Sequence, residues 1–194
     1  SVKIQGGKML TKKGDIRTYP QYQKSKGRLI CTAALVLSKN QITHFYSTTK
    51  NTKEMIKLLE VLLNEYSEED RIFLSWDAAS WHISKELYKK VEEINSPDYR
   101  DKHKIPIVEL IPLPVSAQFL NVIESVFSGM AKAIIHNSDY QSTDECISAI
   151  DLYFQERNKY FSQYPKPAGN KIWGKELVKS VFSETNNCKD RNWR

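Results

Sequence analysis

The chain has 194 residues, 40% of them apolar, which is enough to bury the core of one domain with a tail attached. The longest apolar runs, such as "TAALVL" and "IPIV", are strand-sized; none approaches a membrane span, and no secretory pattern opens the chain. Twenty-nine Lys and Arg against 23 Asp and Glu leave a net charge of +6, a moderate excess that suits a partner presenting phosphates without requiring one. The three cysteines, Cys31, Cys146 and Cys188, form no CxxC pair. Their odd number argues against a disulfide framework and fits structural thiols in a reducing cytoplasm.

In chain order, residues 1–26 are polar and broken by "GG" and "KKGD"; "SVKIQ" is strand-like and the rest reads as turns and basic loop. "GRLICTAALVLS" (27–38) is rich in β-branched and aliphatic residues. After the polar turn "KNQ", "ITHFYSTT" (42–49) alternates, so the two predict an antiparallel hairpin. The period then changes. Met55, Leu58, Leu59, Leu62 and Leu63 recur at steps of three and four, which predicts an amphipathic helix over 51–67 with Asn51 and Glu54 at its start. "RIFLSW" (71–76) is a strand whose nearly continuous apolar run predicts cover on both faces.

"SKELYKKVEEI" (84–94) predicts a helix, "NSPDYRDKHKIP" (95–106) a polar loop, and "IVELIPLP" (107–114) a buried strand stopped by Pro112 and Pro114. Residues 117–135 predict a long helix. Residues 142–161 predict another, with Ser142 and Glu145 in capping-box spacing. A linker beginning "SQYPKPAGN" and a short helix, "GKELVKSVF", follow. Strands alternating with helices after an antiparallel start predict an α/β fold, a mixed central sheet flanked by helices.

Two carboxylates stand out. Side chains alternate along a strand, so Phe73, Ser75 and Asp77 share one face and Ile72, Leu74 and Trp76 the other. Asp77 falls where the strand ends. Ligands gather there in open α/β sheets, although an Asp that merely caps a turn is also common there. On the 117–135 helix, Glu124 falls beside an arc made by Leu120, Phe127, Ala131, Ile123, Met130 and Ile134, with Asn121, Ser128 and Lys132 on its other side. At the edge of a buried stripe the carboxylate needs a partner, which a Lys, an Arg or a metal ion could supply. Two carboxylates from different elements suit a hard divalent cation such as Mg²⁺. The four histidines, His44, His82, His103 and His136, have no i,i+4 partner and no nearby cysteine. A metal-free hydrolase using Ser80 or Ser84 with His82 lacks a nucleophile-elbow pattern and an orienting acid.

"WDAASWH" resembles the aspartate motif of the mariner-like and bacterial insertion-sequence transposases, DDE superfamily endonucleases in which a strand ends in Asp followed by a small turn and a His. "IPLPVSAQFLNVIESVFSGMAK" resembles the same family's strand–Pro–turn–helix motif, in which Leu-Asn-x-Ile-Glu carries the catalytic glutamate. "HNSDYQSTDECISAI" resembles the segment that follows. The resemblance covers residues 27–160. It implies a ribonuclease H-like catalytic domain over 1–161, with 162–194 as C-terminal linker and short helix. It also implies a D-D-E triad that uses Mg²⁺ or Mn²⁺ to cut and join DNA strands. Asp77 takes the place of the second carboxylate and Glu124 that of the third, both catalytic and metal-binding; His82, Asn121 and Lys132 are near-site or DNA-contacting positions. The basic stretches "KKGDIR" and "KSKGR" and Lys171 are further candidates for phosphate contact.

The chain departs from the pattern in two ways. Asp77 and Glu124 are further apart than the family's usual spacing, with the extra length in "NSPDYRDKHK". The family's first Asp lies on an opening strand ahead of the segment that "SVKIQGG" resembles. Asp15, the only Asp in the first third, lies too late, in a turn. With the serine start, this implies a catalytic domain truncated before its first strand. Weak metal binding, poor catalysis and an exposed strand edge that invites a homodimer are the expected consequences. The competing reading is a catalytically inactive, transposase-derived DNA-binding or scaffolding fragment. The expected setting is the bacterial cytoplasm or nucleoid, with no membrane partner.

Overall fold

A computed structural model of the chain describes residues 5–10, 14, 16–20, 27–76, 84–114, 120–136 and 138–173. Two antiparallel strands come first, β1 (Gln5–Leu10) and β2 (Ile16–Pro20), with an irregular register between Gln5 and Lys8 where two glycines interrupt the ladder. Here the sequence reading of turns and loop is corrected. β3 (Ile30–Val36) and β4 (Gln41–Ser47) form the expected antiparallel hairpin, from Ile30 opposite Ser47 to Val36 opposite Gln41. Asn40 turns the chain with φ 54°, a left-handed conformation that Asn tolerates better than most residues.

α1 (Thr52–Glu65) starts at Asn51, whose side chain accepts from the Glu54 N–H, and buries the five positions its period predicts. β5 (Arg71–Leu74) pairs in parallel with β6 (Ile107–Leu110). The pairing runs beyond both strands, since Ile107 N–H donates to Asp70 O (3.1 Å), Ile111 to Leu74 O (2.9 Å) and Leu113 to Trp76 O (2.8 Å). Residues 107, 111 and 113 therefore face β5. Pro112 and Pro114, which have no N–H, fall on the alternate positions and cost the ladder nothing.

Between these strands, α2 (Lys85–Asn95) begins at Ser84, which caps the Leu87 N–H. The predicted polar loop after it holds a helix instead, α3 (Pro97–His103). Ser96 does two jobs: its hydroxyl donates to the Glu93 carbonyl at the end of α2 and accepts from the Tyr99 N–H at the start of α3. Pro97 sits in the first turn, where its missing N–H is no loss. α4 (Ile123–Met130) runs into a π-helical turn at Ala131–Ile135, closed by a His136 N–H to Ala131 O bond of 2.7 Å. α5 (Thr143–Gln163) starts at Ser142, which accepts from the Glu145 N–H while the Glu145 carboxylate accepts from the Gln141 N–H. A short α6 (Asn170–Trp173) follows.

Two apolar clusters cover opposite faces of the β3–β4 hairpin. On one face, Ala34 and Phe45 pack with α1, α2 and the β5–β6 pair, where Leu59, Leu87, Ile94 and Val108 are essentially closed to solvent. Each such side chain contributes roughly 1.5–3 kcal/mol. On the other face, Cys31, Ala33, Leu35 and Ile42 pack with α4 and α5 around Phe154. Cover of β5 is one-sided, against the expectation of two covered faces. Ile72, Leu74 and Trp76 turn into the core, but Phe73 is 60% exposed. Among the described residues the strands form three two-stranded sheets rather than one mixed central sheet.

Candidate active site

Two of the candidate residues, Asn121 and Glu124, line a groove between the two halves of the molecule. It has a volume of about 770 Å³. The length of β3 forms one flank and Arg71–Trp76 the other. Met55, Leu58 and Leu62 of α1 line it from one side, and Leu120, Ile123 and Phe127 from the start of α4. Lys39, just past the end of β3, pairs with Glu69, just before β5, at 3.0 Å, so β3 and β5 run in opposite directions across it.

Glu124 lies in the first turn of α4 and lines this groove. The turn is set by Asn121 and Val122, whose carbonyls accept from the Glu124 and Ser125 N–H groups, both at 3.1 Å. A carboxylate suits this position because free N–H groups at a helix start favour negative charge. Glu124 is exposed and makes no side-chain hydrogen bond or ion pair among the described residues. The expectation that it sits at a buried edge and needs a partner is corrected. The helix begins only at Ile123, so Val126 and Met130, with Ile123 and Phe127 beside them, form the buried stripe, leaving Glu124, Ser125 and Ser128 outside.

Asn121, half-buried, lines the groove beside Glu124. A second hollow of about 510 Å³ shares Asn121 and Glu124 and adds Asn40, Arg157, Lys166 and Ala168. Sequence reasoning missed Arg157 and Lys166, because nothing in the spacing of residues so far apart in the chain ties them to Glu124. Arg157 is committed to structure: its guanidinium donates to the Asn40 carbonyl at 2.7 Å and to the Asn40 side-chain oxygen, and burial pulls its pKa below the usual value. Lys166 is exposed.

Asp77 and His82 lie outside the described residues, as do Ser80 and Asp15, so the described groups do not bring the two carboxylates together. Trp76, the residue before Asp77, lines the same groove as Glu124. Lys132 is exposed on the π-helical turn, about 12 Å along the helix from Glu124, and lines neither hollow. "KSKGR" lies mostly outside the described residues, as does much of "KKGDIR". Among the described residues no three Asp, Glu, His or Cys side chains gather at metal-binding range.

The other titratable cluster lies on the α5 face of the hairpin. Asp151 accepts from Tyr46 (2.6 Å) and His44 (2.8 Å), and these bonds hold its carboxyl below the ordinary range. Burial, helped by Asp151 and Cys146, pushes the Cys31 thiol up to about 12, as befits a structural thiol. Cys146 is also a free, half-buried thiol. Among the described residues no helix is long and apolar enough to cross a membrane.

No curated protein and no protein of solved structure matches the chain. A family model, that of the DDE superfamily endonucleases, matches residues 5–147, a span that contains both Asp77 and Glu124. With nearly three-quarters of its length matched, the chain belongs to the DDE superfamily endonuclease family.

Proposed function

We propose that the chain is a transposase-type catalytic domain of ribonuclease H-like architecture, built on residues 1–161 with 162–194 as an appended linker and helix. It acts on DNA by metal-dependent phosphodiester hydrolysis and strand transfer. The observation that carries this is the family match across 5–147, which spans both motif carboxylates, together with Glu124, exposed and uncommitted, on a groove that Trp76 also lines.

The donor set fits Mg²⁺ or Mn²⁺. Both are hard cations that take carboxylate oxygen, and an exposed carboxylate with no competing partner can give both oxygens to one. Asp77 and Glu124 are the residues that would hold it. When bound, the metal supplies an acidified water or activated 3′-hydroxyl and neutralises charge on the phosphate. Asn121 positions the first turn of α4 and so the Glu124 carboxylate; His82 orients groups beside Asp77. Lys166, on the hollow that Glu124 shares, and Lys132, further along, attract DNA phosphates without reading sequence. The family implies DNA as substrate, and the intracellular setting and a homodimer belong to the same reading.

Nicking of supercoiled plasmid by the full chain tests it. Nicking that requires Mg²⁺ or Mn²⁺ is expected to be slow in the parent chain, in keeping with two motif carboxylates rather than three, and to be lost in Asp77→Asn and in Glu124→Gln. Nicking that survives chelation or either substitution contradicts it. DNA binding with no nicking in either metal assigns the chain instead to an inactive, DNA-binding role.

A further inference from the structure

α4 and α5 pack antiparallel, with Tyr153 of α5 against Gly129 of α4 and Arg157 beside Val126 on the second hollow. At helical spacing, the stripe of α5 that meets α4 continues from Tyr153 and Arg157 through Tyr160 to Tyr164. α4 begins only at Ile123, so the stripe outruns it. Its last two members are left open to solvent: Tyr160 is 56% exposed and Tyr164 62%. Their rings lie 5.0 Å apart, tilted by 41°, and Phe161 meets Tyr160 edge-on at 5.2 Å. Phe161 in turn lines the hollow that Glu124 shares, with the Arg157 guanidinium over its ring at 4.7 Å. Exposed aromatic faces therefore lead up to the motif glutamate.

Charge narrows what these rings can meet. From Arg157 to Trp173 the chain carries four Lys and Arg and no Asp or Glu. Lys159 and Lys166, both exposed, bracket the two tyrosines. Apart from Tyr164, the exposed side chains within one turn of Tyr160 are polar or charged: Glu156, Lys159, Ser162 and Gln163. A protein interface of ordinary size needs a broader apolar core than two rings in such a surround. A nucleobase needs only a flat π-face, with cations in reach of its phosphates. The backbone under the rings is fixed. Tyr164 N–H donates to Tyr160 O at 2.8 Å, and the segment beyond is pinned where Ala168 N–H donates to Leu37 O at 2.7 Å. Presenting the rings on ordered backbone lowers the entropy lost on binding.

We propose that the end of α5 is a stacking platform for unpaired nucleotides of a DNA strand. One base lies on each of Tyr160 and Tyr164, and Lys159 and Lys166 take the neighbouring phosphates. In a duplex the base faces are already stacked on one another, so the platform selects a strand whose bases are free. It accepts any base, because each has a π-face, and so carries no sequence code. Its place beside the hollow of Glu124 makes it a substrate-positioning surface rather than part of the metal site. The inference rests on the reading of the chain as a DNA-cutting domain and adds which form of the strand that domain holds.

The test uses the full chain in EDTA, where nothing is cut, and the fluorescence anisotropy of fluorescein-labelled oligonucleotides. A thymidine dodecamer should bind at least about tenfold more tightly than a duplex of the same length. It should exceed by the same margin an abasic dodecamer, which keeps the phosphates, lacks the bases and leaves the protein unaltered, so folding is not in question. Tyr160→Ala and Tyr164→Ala should each weaken the single strand at least about fivefold and leave the duplex unchanged, whereas Tyr160→Phe and Tyr164→Phe, which keep the ring, should bind as the parent does. Lys159→Gln and Lys166→Gln should each reduce the slope of log affinity against log salt by about 0.7. Equal binding of the thymidine and abasic dodecamers, or alanine variants that bind like the parent, overturns the proposal. So does loss of a dimer rather than of DNA binding in those variants, which would make the tyrosines a contact between copies. A chain that prefers the single strand but never nicks with metal keeps the platform and breaks the nuclease reading; one that nicks without that preference does the reverse.

Discussion

The β3–β4 hairpin and the β5–β6 pair are each two strands wide, yet different forces hold them. The hairpin is tied to α5 by polar side chains. Arg157 grips the Asn40 turn, Asn158 clamps Ile42, and Asp151 collects Tyr46 and His44. The parallel pair has one such clamp, Asn95, and one ion pair between its strands, Arg71 with Glu109; beyond these it rests on aliphatic burial by α1 and α2. The hairpin also packs around Phe154, so its directional bonds to α5 add to a buried cluster, whereas the parallel pair depends chiefly on its core. The groove runs between the half held mainly by packing and the half in which polar contacts add to packing around Phe154.

Truncation of the aliphatic core should cost most. Leu59, fully buried between α1 and the parallel pair, is expected to lose about 2–5 kcal/mol of stability on Leu59→Ala, read by urea denaturation. A loss below about 1 kcal/mol would mean that packing does not hold this half. Asn158→Ala comes next. It strips two backbone groups of Ile42 of their partners and should cost about 1–3 kcal/mol. The same measurement on Asn95→Ala sharpens the contrast, because the loss there falls on a strand already held by its core.

The smallest effect is one of pH. The Asp151 carboxyl is held below its usual range by bonds from Tyr46 and His44, so its contribution is present above the unfolded value, near 3.8, and is lost as pH falls through the lower folded value. Melting temperature followed downward from pH 6 should therefore fall less steeply in Asp151→Asn than in the parent chain. Parallel curves would remove Asp151 from the hairpin's polar tie.

The hairpin, α1, α2 and α5 were legible because each carries a local signal: alternation, a three-and-four period, or a cap three residues ahead of a free N–H. α3 was hidden because its polar sequence looks like a loop, and only Ser96-Pro97 marks its start. The β1–β2 pair was missed because glycines and lysines break up its pattern. Glu124 could be picked out by motif, but not its exposure, which depends on where α4 begins. Nor could its neighbours Arg157 and Lys166, which arrive by tertiary packing. The clamps of Asn158 on Ile42 and of Asn95 on Val108 were equally out of reach, since both residues look like ordinary helix-surface amides until the strands beside them are known.

The central claim is that Asp77 and Glu124 share one metal ion. Titration of the chain with Mn²⁺, followed by paramagnetic broadening of backbone amide signals, tests it most directly. The amides of Trp76 and Glu124 should broaden together at the same substoichiometric Mn²⁺, and Asp77→Asn should abolish the broadening at Glu124. Broadening at Glu124 that survives Asp77→Asn, or that never reaches Trp76, would contradict a shared site.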